Sequence, residues 1–182
     1  MRGKLLIAGA LTLLVAAAAK ADKKYSPLKV VENVDLVRYE GLWYEIARLP
    51  NRFEKACASD VTARYTRDGS RIKVVNQCRT QNGELKSANG VAKLADKRGG
   101  NARLKVRFAP SFLSFLPFVW ANYQIIELSP DYDYAVIGEP GRKYLWVLSR
   151  TPKLDEGVYR SLLAKAAAQG FEVSKVIRTN QN

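Results

Sequence analysis

Residues 59–78 read SDVTARYTRDGSRIKVVNQC, and this stretch decides the fold. Apolar and polar side chains alternate on both sides of Asp68-Gly69, which is the pattern of strands that bury one face and leave the other in water. Asp-Gly also suits the two central positions of a type I′ turn, where φ is positive at both residues. The stretch therefore predicts a β-hairpin in which Ala63 lies opposite Val74 and the apolar residues share one face.

Short β-rich runs of the same kind continue along the chain, separated by turn signals. Eight strands are expected, at Trp43–Leu49, Ser59–Thr66, Arg71–Cys78, Glu84–Ala95, Asn101–Phe108, Ala121–Leu128, Tyr134–Gly138 and Tyr144–Arg150. After the eighth run the apolar spacing becomes that of one amphipathic helix of about 14 residues, which begins after Asp155 and stops before Gly170. A further short run, Ser174–Arg178, is a candidate last strand. The sequence thus predicts an all-β antiparallel meander or barrel with one C-terminal helix packed outside.

The two cysteines lie at the open end of the predicted hairpin. In the predicted register Cys78 falls opposite Ser59, and Cys57 lies two residues beyond Ser59 on the same face. A Cys57–Cys78 disulfide is the favoured interpretation. The alternative, a reactive thiol, needs a partner such as His to stabilise the thiolate, and the chain contains no His.

Composition excludes several classes of function. The chain has 182 residues, with 30 Lys and Arg against 17 Asp and Glu, a formal charge of +13, two Cys and no His. Ser-His-Asp and Cys-His catalysis and His-ligated zinc or haem are therefore ruled out, and two cysteines cannot complete a four-ligand zinc site. Glu45 and Glu127 are the carboxylates in good strand positions, and each is expected to be a single polar residue of the pocket or of the surface. We expect no catalytic residues, no metal and no cofactor.

Three sequence blocks carry a resemblance to a known family. Residues 41–48 read GLWYEIAR and are followed by Phe53-Glu54-Lys55, which resembles the opening motif of the bacterial lipocalins, relatives of apolipoprotein D. Residues 128–136 (LSPDYDYAV) and 144–152 (YLWVLSRTP) resemble the second and third motifs of that family, in the same order and spacing. The likeness covers about residues 36–178.

The resemblance implies an eight-stranded up-and-down antiparallel barrel that holds one small ligand. It also implies structural roles at the barrel base: Gly41 begins the first strand, Trp43 closes the base, and Arg150 packs across it. Because the first strand starts and the eighth strand ends at this closed end, four other connections lie at the open mouth. These are residues 50–58, 79–83, 109–120 and 139–143.

One mouth connection is unusually apolar. Residues 109–120 read APSFLSFLPFVW and contain no charged side chain. A loop is normally polar, so this one is expected to bury itself against the cavity, a ligand, a membrane or another subunit. It is either a lid packed on its own barrel or a ligand portal, and Phe53 is its expected partner across the mouth. The side chains expected to contact ligand are Phe53, Val106, Phe108, Phe112, Phe115, Trp120, Tyr123 and Trp146.

The first 21 residues have the pattern of a secretory signal peptide. Basic residues precede an apolar run that ends at the small-x-small motif Ala19-Lys20-Ala21. Its removal leaves 27 Lys and Arg against 17 Asp and Glu, a formal charge of +10. No cysteine lies near residue 21, so we expect an exported protein, periplasmic or associated with the outer membrane, that is soluble rather than lipid-anchored. The expected division is a signal peptide at 1–21, an N-terminal arm at 22–38 and a lipocalin domain at 39–182.

An apolar barrel with an aromatic mouth suits a fatty acid or lysophospholipid, held for transport, storage or scavenging in the cell envelope. Burying about 14 methylenes gives roughly 11 kcal/mol before an association cost of about 4–15 kcal/mol, which predicts micromolar or weaker binding. Basic residues in the mouth connections would favour an anionic head group or an anionic membrane surface. They are Arg52, Lys55, Arg142 and Lys143.

The alternative hypothesis is a homodimeric interaction protein of the cell envelope that uses the 109–120 loop, with lipid binding incidental. A nucleic-acid binder is not expected. Its basic residues would form one contiguous stripe, whereas here they alternate with core residues on several strands.

Overall fold

The computed structural model describes residues 25–96 and 100–182. The expected signal peptide at residues 1–21 lies outside these residues. All eight predicted strands are present. In chain order the elements are α1 Leu36–Tyr39, β1 Gly41–Arg48, β2 Ser59–Asp68, β3 Arg71–Arg79, β4 Leu85–Leu94, β5 Arg103–Arg107, β6 Ala121–Leu128, β7 Tyr134–Gly138, β8 Leu145–Ser149, α2 Glu156–Ala168 and β9 Ile177–Arg178. Short 3₁₀ turns occupy Ser111–Leu113, Pro117–Val119 and Val173–Lys175.

The strands pair in chain order from β2 to β8, and β1 closes the sheet into a barrel. Along one edge β1 pairs antiparallel with β8, and along the other it pairs with β2 from Gly41 to Tyr44. Beyond Tyr44, β2 leaves β1, and β9 pairs with β1 at Ala47 and Arg48. The predicted eight-stranded antiparallel barrel is confirmed, with β9 as a short additional strand at the mouth.

The turn between β2 and β3 is displaced by one residue from its predicted position. Asp68 pairs with Arg71, so the two central turn residues are Gly69 and Ser70 rather than Asp68 and Gly69. Gly69 has φ +60°, and Ser70 is not among the residues with positive φ. Positive φ at the first central position alone is the pattern of a type II′ turn, which takes glycine there.

The predicted hairpin register is wrong by two residues, because Val74 lies opposite Tyr65 rather than Ala63. A shift of two residues keeps every side chain on its predicted face, since side chains alternate with period two along a strand. The prediction that apolar residues share one face therefore holds: Ala63, Tyr65 and Val74 are all buried inside the barrel.

The predicted disulfide is formed, although its strand neighbours differ from the prediction. Cys57 and Cys78 are bonded with their Cα atoms 5.5 Å apart. Ser59 lies opposite Arg79 rather than Cys78, because the hairpin register differs by two residues and an irregularity next to Asp60, which has φ +53°, reverses one of them. The disulfide ties the first mouth connection to the end of β3.

A β-bulge in β1 divides the apolar residues between two cores. Glu45 lies opposite Leu148 and Ala47 lies opposite Val147, so Ile46 is the extra residue. The bulge places Ile46 and Ala47 together on the outer face, where they join the core under α2. Bulges re-aim side chains in this way.

Helix α2 covers that outer core, as the sequence predicted. Asp155 caps its N-terminus by accepting a hydrogen bond from the Val158 N–H at 2.9 Å. Tyr159, Leu162 and Ala166 are the buried residues of its inner face. The helix therefore thickens one wall of the barrel and takes no part in lining the interior.

One strand residue expected in solvent is buried. The alternation in β5 predicts that Arg107 faces outward into water, yet it is 4% exposed. Its guanidinium donates hydrogen bonds to the carbonyl oxygens of Ala109 and Pro110. The 109–120 loop thus folds back over the outer face of β5, a long-range feature that strand periodicity does not contain.

We predict that replacing both cysteines (Cys57→Ser/Cys78→Ser) lowers the free energy of unfolding by about 3 kcal/mol. The sequence separation of 21 sets this value, because the disulfide removes loop entropy from the unfolded chain. Urea unfolding followed by circular dichroism measures it, and reduced wild-type protein is the control that should match the variant. A loss below about 1 kcal/mol would show that the disulfide does not constrain the unfolded chain as described.

Candidate ligand-binding cavity

The barrel encloses a cavity of about 630 Å³. Small-molecule sites in proteins usually measure about 300–1,000 Å³, so the volume suits one small ligand. Its wall is mainly apolar, and the larger aliphatic lining residues are Leu36, Val61, Ile72, Val74, Leu104, Val106, Val119, Ile137 and Leu148. Polar side chains also reach the wall, at Thr62, Asn76, Gln77, Ser87 and Asn122. Strands β3, β5 and β8 contribute mainly alternate residues to this wall, because successive side chains of a strand point to opposite faces.

Small residues on β4 keep the middle of the barrel open. Ala88 and Ala92 line the cavity, and Gly90 lies between them on the same face. The Phe108 ring rests on Gly90 so closely that a Cβ at this position would lie 2.7 Å from the ring. A larger residue at position 90 would displace Phe108 from the cavity wall.

The structure places five of the eight expected ligand-contacting residues in the wall. They are Phe53, Val106, Phe108, Tyr123 and Trp146. Phe53 is at the mouth, where its ring centroid lies 5.5 Å from that of Tyr144, which in turn stacks on Trp146 at 5.9 Å. These three rings form one side of the entrance.

The other three expected residues, Phe112, Phe115 and Trp120, do not line the cavity. Trp120 folds over the outer face of the barrel, where its ring lies 4.1 Å from Lys93 Nζ and its Nε1–H donates to the Ser114 carbonyl at 2.8 Å. Phe112 and Phe115 are 73% and 78% exposed. Phe112 and Phe115 therefore lie away from the cavity, whereas Phe118 and Val119 of the same loop line its rim.

A buried ionic cluster, which we call the mouth cluster, consists of Glu45, Arg48 and Glu54. Arg48 Nη1 lies 2.7 Å from Glu45 Oε1, and Arg48 Nε lies 3.1 Å from Glu54 Oε2. The Trp146 Nε1–H donates to Glu54 Oε1 at 2.9 Å. The bulge at Ile46 makes the cluster possible, because it turns both Glu45 and Arg48 toward the inside.

The mouth cluster has two carboxyl groups for one guanidinium, and this sets the protonation of Glu45. Glu45 is 3% exposed. Burial, followed by repulsion from Glu54, raises the pKa of Glu45 to about 8, although Arg48 and Thr179 act in the opposite direction. At neutral pH Glu45 is therefore mainly protonated, and the cluster has little net charge.

The mouth cluster also holds the first mouth connection in place. Asn51 Oδ1 accepts hydrogen bonds from the N–H groups of Phe53 and Glu54, at 2.9 and 3.1 Å. Glu54 then reaches inward to Arg48 and Trp146. Residues 50–58 are thus fastened at one end by this network and at the other by the disulfide.

The basic rim differs in part from the prediction. Arg52 lines the mouth, and so does Lys86 at the start of β4, which the sequence did not single out. Arg142 is buried and donates to the carbonyl oxygens of Ser26, Pro140 and Gln169 at 2.7, 2.6 and 3.0 Å. It therefore stabilises the contact between the N-terminal arm and α2 and is not available to a ligand.

Three tyrosines, Tyr39, Tyr65 and Tyr123, form the floor of the cavity and line it. The Tyr123 hydroxyl is hydrogen-bonded to those of Tyr39 and Tyr65, at 2.8 and 2.9 Å. Tyr39 belongs to α1, which Asp35 caps by accepting from the Val37 N–H at 2.8 Å. We call these residues the tyrosine floor.

Below the floor lie the three residues expected at the closed base. The Arg150 guanidinium carbon is 3.9 Å from the Trp43 ring centroid, and Arg150 donates to the carbonyl oxygens of Leu42 and Tyr132 at 3.0 and 3.2 Å. Gly41 has φ +99°, and a Cβ there would lie 3.2 Å from Arg150. The position therefore combines a conformation that favours glycine with little room for a side chain.

The second carboxylate considered in the sequence, Glu127, lies outside the barrel. Its Oε2 is 2.8 Å from Lys165 Nζ on α2. Across residues 25–96 and 100–182 there is no group of three His, Cys, Asp or Glu side chains that could hold a metal ion. No helix in those ranges has the length and apolar character needed to cross a membrane.

Sequence reasoning missed the mouth cluster and the tyrosine floor. Both require contacts between residues that are distant in sequence. The mouth cluster also requires the β-bulge at Ile46, which no turn residue in the sequence indicates. Glu45, Arg48 and Glu54 all stand in the quoted opening motif, and Tyr123 is among the expected ligand contacts, but nothing in the sequence links these residues to their partners.

Comparisons with known proteins agree on one family. A family model described as a lipocalin-like domain matches residues 34–181. The chain is 40% identical over 158 residues to temperature-induced lipocalin-1 of Arabidopsis thaliana, covering 85% of this chain and 83% of that protein. It is 37% identical over 178 residues to outer membrane lipoprotein Blc of Escherichia coli (strain K12), covering 97% and 96%. Insecticyanin from the tobacco hornworm Manduca sexta shares the fold, with a TM-score of 0.67 and 20% identity over 86% of this chain and 85% of that one.

The chain belongs to the lipocalin-like family, and the predicted resemblance is confirmed. Lipocalins bind small hydrophobic ligands, which agrees with an enclosed and largely apolar cavity. The relatives at this level of similarity include outer membrane lipoproteins of bacteria.

We predict that Glu45→Gln stabilises the protein increasingly as the pH rises from 5 to 8. The pKa of Glu45 is about 8 when folded against 4.5 for an ordinary glutamate, so between these values the folded state keeps a proton that the unfolded state has lost. Wild-type stability therefore falls with rising pH, and glutamine removes this fall, on the order of 2–4 kcal/mol by pH 8. Urea unfolding at several pH values measures it.

Glu127→Gln is the matched control, because Glu127 is paired with Lys165 at the surface and should change stability by less than about 1 kcal/mol. A constant difference between Glu45→Gln and wild type from pH 5 to 8 would show that Glu45 is ionised when folded.

Proposed function

We propose that the protein binds one fatty acid or lysophospholipid, with the acyl chain in the barrel and the anionic head group at the mouth. The observation that carries this proposal is the 630 Å³ cavity, whose mainly apolar wall opens between Arg52, Lys86 and an aromatic entrance. We propose transport, storage or scavenging of such lipids in the cell envelope as its role, without an enzymatic step.

The wall supports an acyl chain rather than a compact polar ligand. Apolar surface buried in it is worth about 25 cal/mol per Å². Polar side chains such as Asn76 interrupt this surface, but most of the lining is apolar. Chain length therefore contributes mainly through the number of methylenes buried, and selectivity between similar acyl chains is expected to be low.

The mouth supports an anionic head group. Arg52 and Lys86 supply positive charge at the opening. The mouth cluster does not oppose it, because protonation of Glu45 leaves Arg48 and Glu54 to balance one another. A carboxylate or phosphate can stay partly in water while interacting with these basic residues, so it avoids the desolvation that burial would require.

An envelope location is part of the proposal. The signal-like first 21 residues and the similarity to outer membrane lipoproteins support export. Both cysteines of the chain are used in the disulfide, which supports a form without a lipid on either thiol.

We predict that Ala88→Trp lowers the affinity for hexadecanoic acid at least tenfold, because the indole would occupy the lumen at a position that lines the cavity. Displacement of a fluorescent fatty acid measures the affinity. Asn89→Trp is the matched control, since the next residue of β4 is not among the lining residues of the cavity and should bind as wild type does. Equal loss in both variants, or no binding by wild type, would contradict the proposal.

A second candidate function is interaction through the 109–120 loop, either with a second copy of the chain or with an anionic membrane surface. Phe112, Phe115 and Phe118 are 73%, 78% and 80% exposed, and three exposed aromatic rings in one loop favour a contact surface. The formal charge of +10 expected for the mature chain favours an anionic surface.

We predict that Phe112→Ser/Phe115→Ser keeps the affinity for hexadecanoic acid within about twofold, because neither ring lines the cavity. If the loop is an interface, the same variant loses concentration-dependent dimerisation in sedimentation velocity or binding to anionic vesicles in flotation. Loss of fatty-acid binding together with either interaction would show instead that the loop is a ligand portal.

A further inference from the structure

The tyrosine floor contains one more hydrogen-bond donor than its own contacts use. Each tyrosine hydroxyl donates one hydrogen, so Tyr39, Tyr65 and Tyr123 have three between them. The Tyr39–Tyr123 and Tyr65–Tyr123 hydrogen bonds use two of these hydrogens, whichever oxygen donates in each bond. Among residues 25–96 and 100–182, no other hydrogen-bond partner of these hydroxyls is found. One hydrogen therefore remains for an acceptor that the protein itself does not supply.

This donor is uncharged at every physiological pH. Burial raises the pKa of Tyr65 to about 12 and raises the pKa of Tyr39 and of Tyr123 well above 10. All three hydroxyls thus stay protonated, and the floor offers a neutral O–H rather than a phenolate.

The surroundings of the floor favour an acceptor on the ligand. Leu104, Ile137 and Leu148 line the cavity, belong to the same buried cluster as the floor tyrosines and offer no hydrogen-bonding side chain. A buried donor without an acceptor is unfavourable. A ligand oxygen at this position would satisfy the donor.

We propose that the tyrosine floor is a subsite for an uncharged oxygen acceptor on the inner half of the acyl chain, which makes the protein selective for oxygenated fatty acids. This inference rests on the proposed function, because it places the acyl chain inside and the head group outside. A carboxylate does not suit the floor, since a single donor cannot replace its hydration. A keto oxygen accepts without donating and matches a lone O–H.

The two polar ends of the cavity are separated by a length that a lipid can span. Val74 lies opposite Tyr65, and Cys78 lies opposite Lys86. These two levels are four residues apart on β3, or about 14 Å along the strand. One ligand can therefore place its head group near Lys86 and a chain oxygen at the floor.

The test compares hexadecanoic acid with its 8-, 12- and 15-oxo derivatives by fluorescence displacement. In wild-type protein we expect one keto acid to bind about three- to tenfold more tightly than hexadecanoic acid, the usual gain from one hydrogen bond. In Tyr39→Phe/Tyr65→Phe/Tyr123→Phe every keto acid should bind more weakly than hexadecanoic acid, because its oxygen is then buried without a donor. The measured quantity is the ratio of keto-acid to hexadecanoic-acid affinity within each protein, so a general change in binding to the cavity does not affect it.

Tyr144→Phe is the matched control, because it removes a cavity-lining hydroxyl at the mouth and should keep the wild-type preference. The triple variant retains the three rings and leaves no floor hydroxyl unpaired, which favours folding. Should it fail to fold, the infrared C=O stretch of bound keto acid in wild-type protein decides the matter: a lower frequency than in alkane supports the subsite, and an alkane-like frequency overturns it.

If wild-type protein binds all three keto acids more weakly than hexadecanoic acid, the inference is overturned, while the proposed fatty-acid binding stands. Absence of hexadecanoic acid binding would instead overturn the proposed function. If the triple variant keeps the wild-type ratio of keto-acid to hexadecanoic-acid affinity, residues other than the floor tyrosines cause the preference for keto acids. This result would also overturn the inference.

Discussion

Strand β1 is the element on which the barrel depends. It pairs with β8 along one edge and with β2 and then β9 along the other, so no long open sheet edge is left beside it. Its bulge at Ile46 changes which side chains point inward and which point outward. Ile46 and Ala47 join the outer core under α2, while Glu45 and Arg48 turn into the mouth. Closure of the barrel, attachment of the helix and the chemistry of the entrance therefore all rest on eight consecutive residues.

The lumen combines a mainly apolar wall with two polar ends that differ in kind. At the mouth, two carboxyl groups share one guanidinium, and the raised pKa of Glu45 keeps this cluster close to neutral. At the floor, the three tyrosine hydroxyls are neutral and joined to one another. Neither end places an unpaired charge in the apolar interior, which would be costly. A lipid with a charged head can use the basic residues of the rim without forcing a charge into the barrel.

The sequence predicted the parts of the fold that depend on local pattern. The eight strands and the helix follow from apolar periodicity, and the disulfide follows from the position of its cysteines on one face of a hairpin. The turn was misplaced because Asp68-Gly69 and Gly69-Ser70 both suit tight turns, with glycine in a different position. The register error did not move side chains between faces, so the core assignment survived it.

The candidate site was harder to predict, because it depends on contacts between distant segments. Phe112, Phe115 and Trp120 are apolar, but composition does not show that Trp120 turns outward onto Lys93. Arg107 and Arg142 have the sequence context of surface residues and become buried only because neighbouring carbonyl groups accept their hydrogen bonds. The tyrosine floor brings Tyr39, Tyr65 and Tyr123 together from one helix and two strands, and no spacing in the sequence links them.

The most direct test of a lipid container is a crystal structure of the protein with hexadecanoic acid bound. We expect electron density for one acyl chain that runs inside the barrel from the tyrosine floor to the mouth, with the carboxylate near Arg52 or Lys86. Density for the lipid only on the outer surface, for example against Phe112 and Phe115, with none in the lumen, would contradict it.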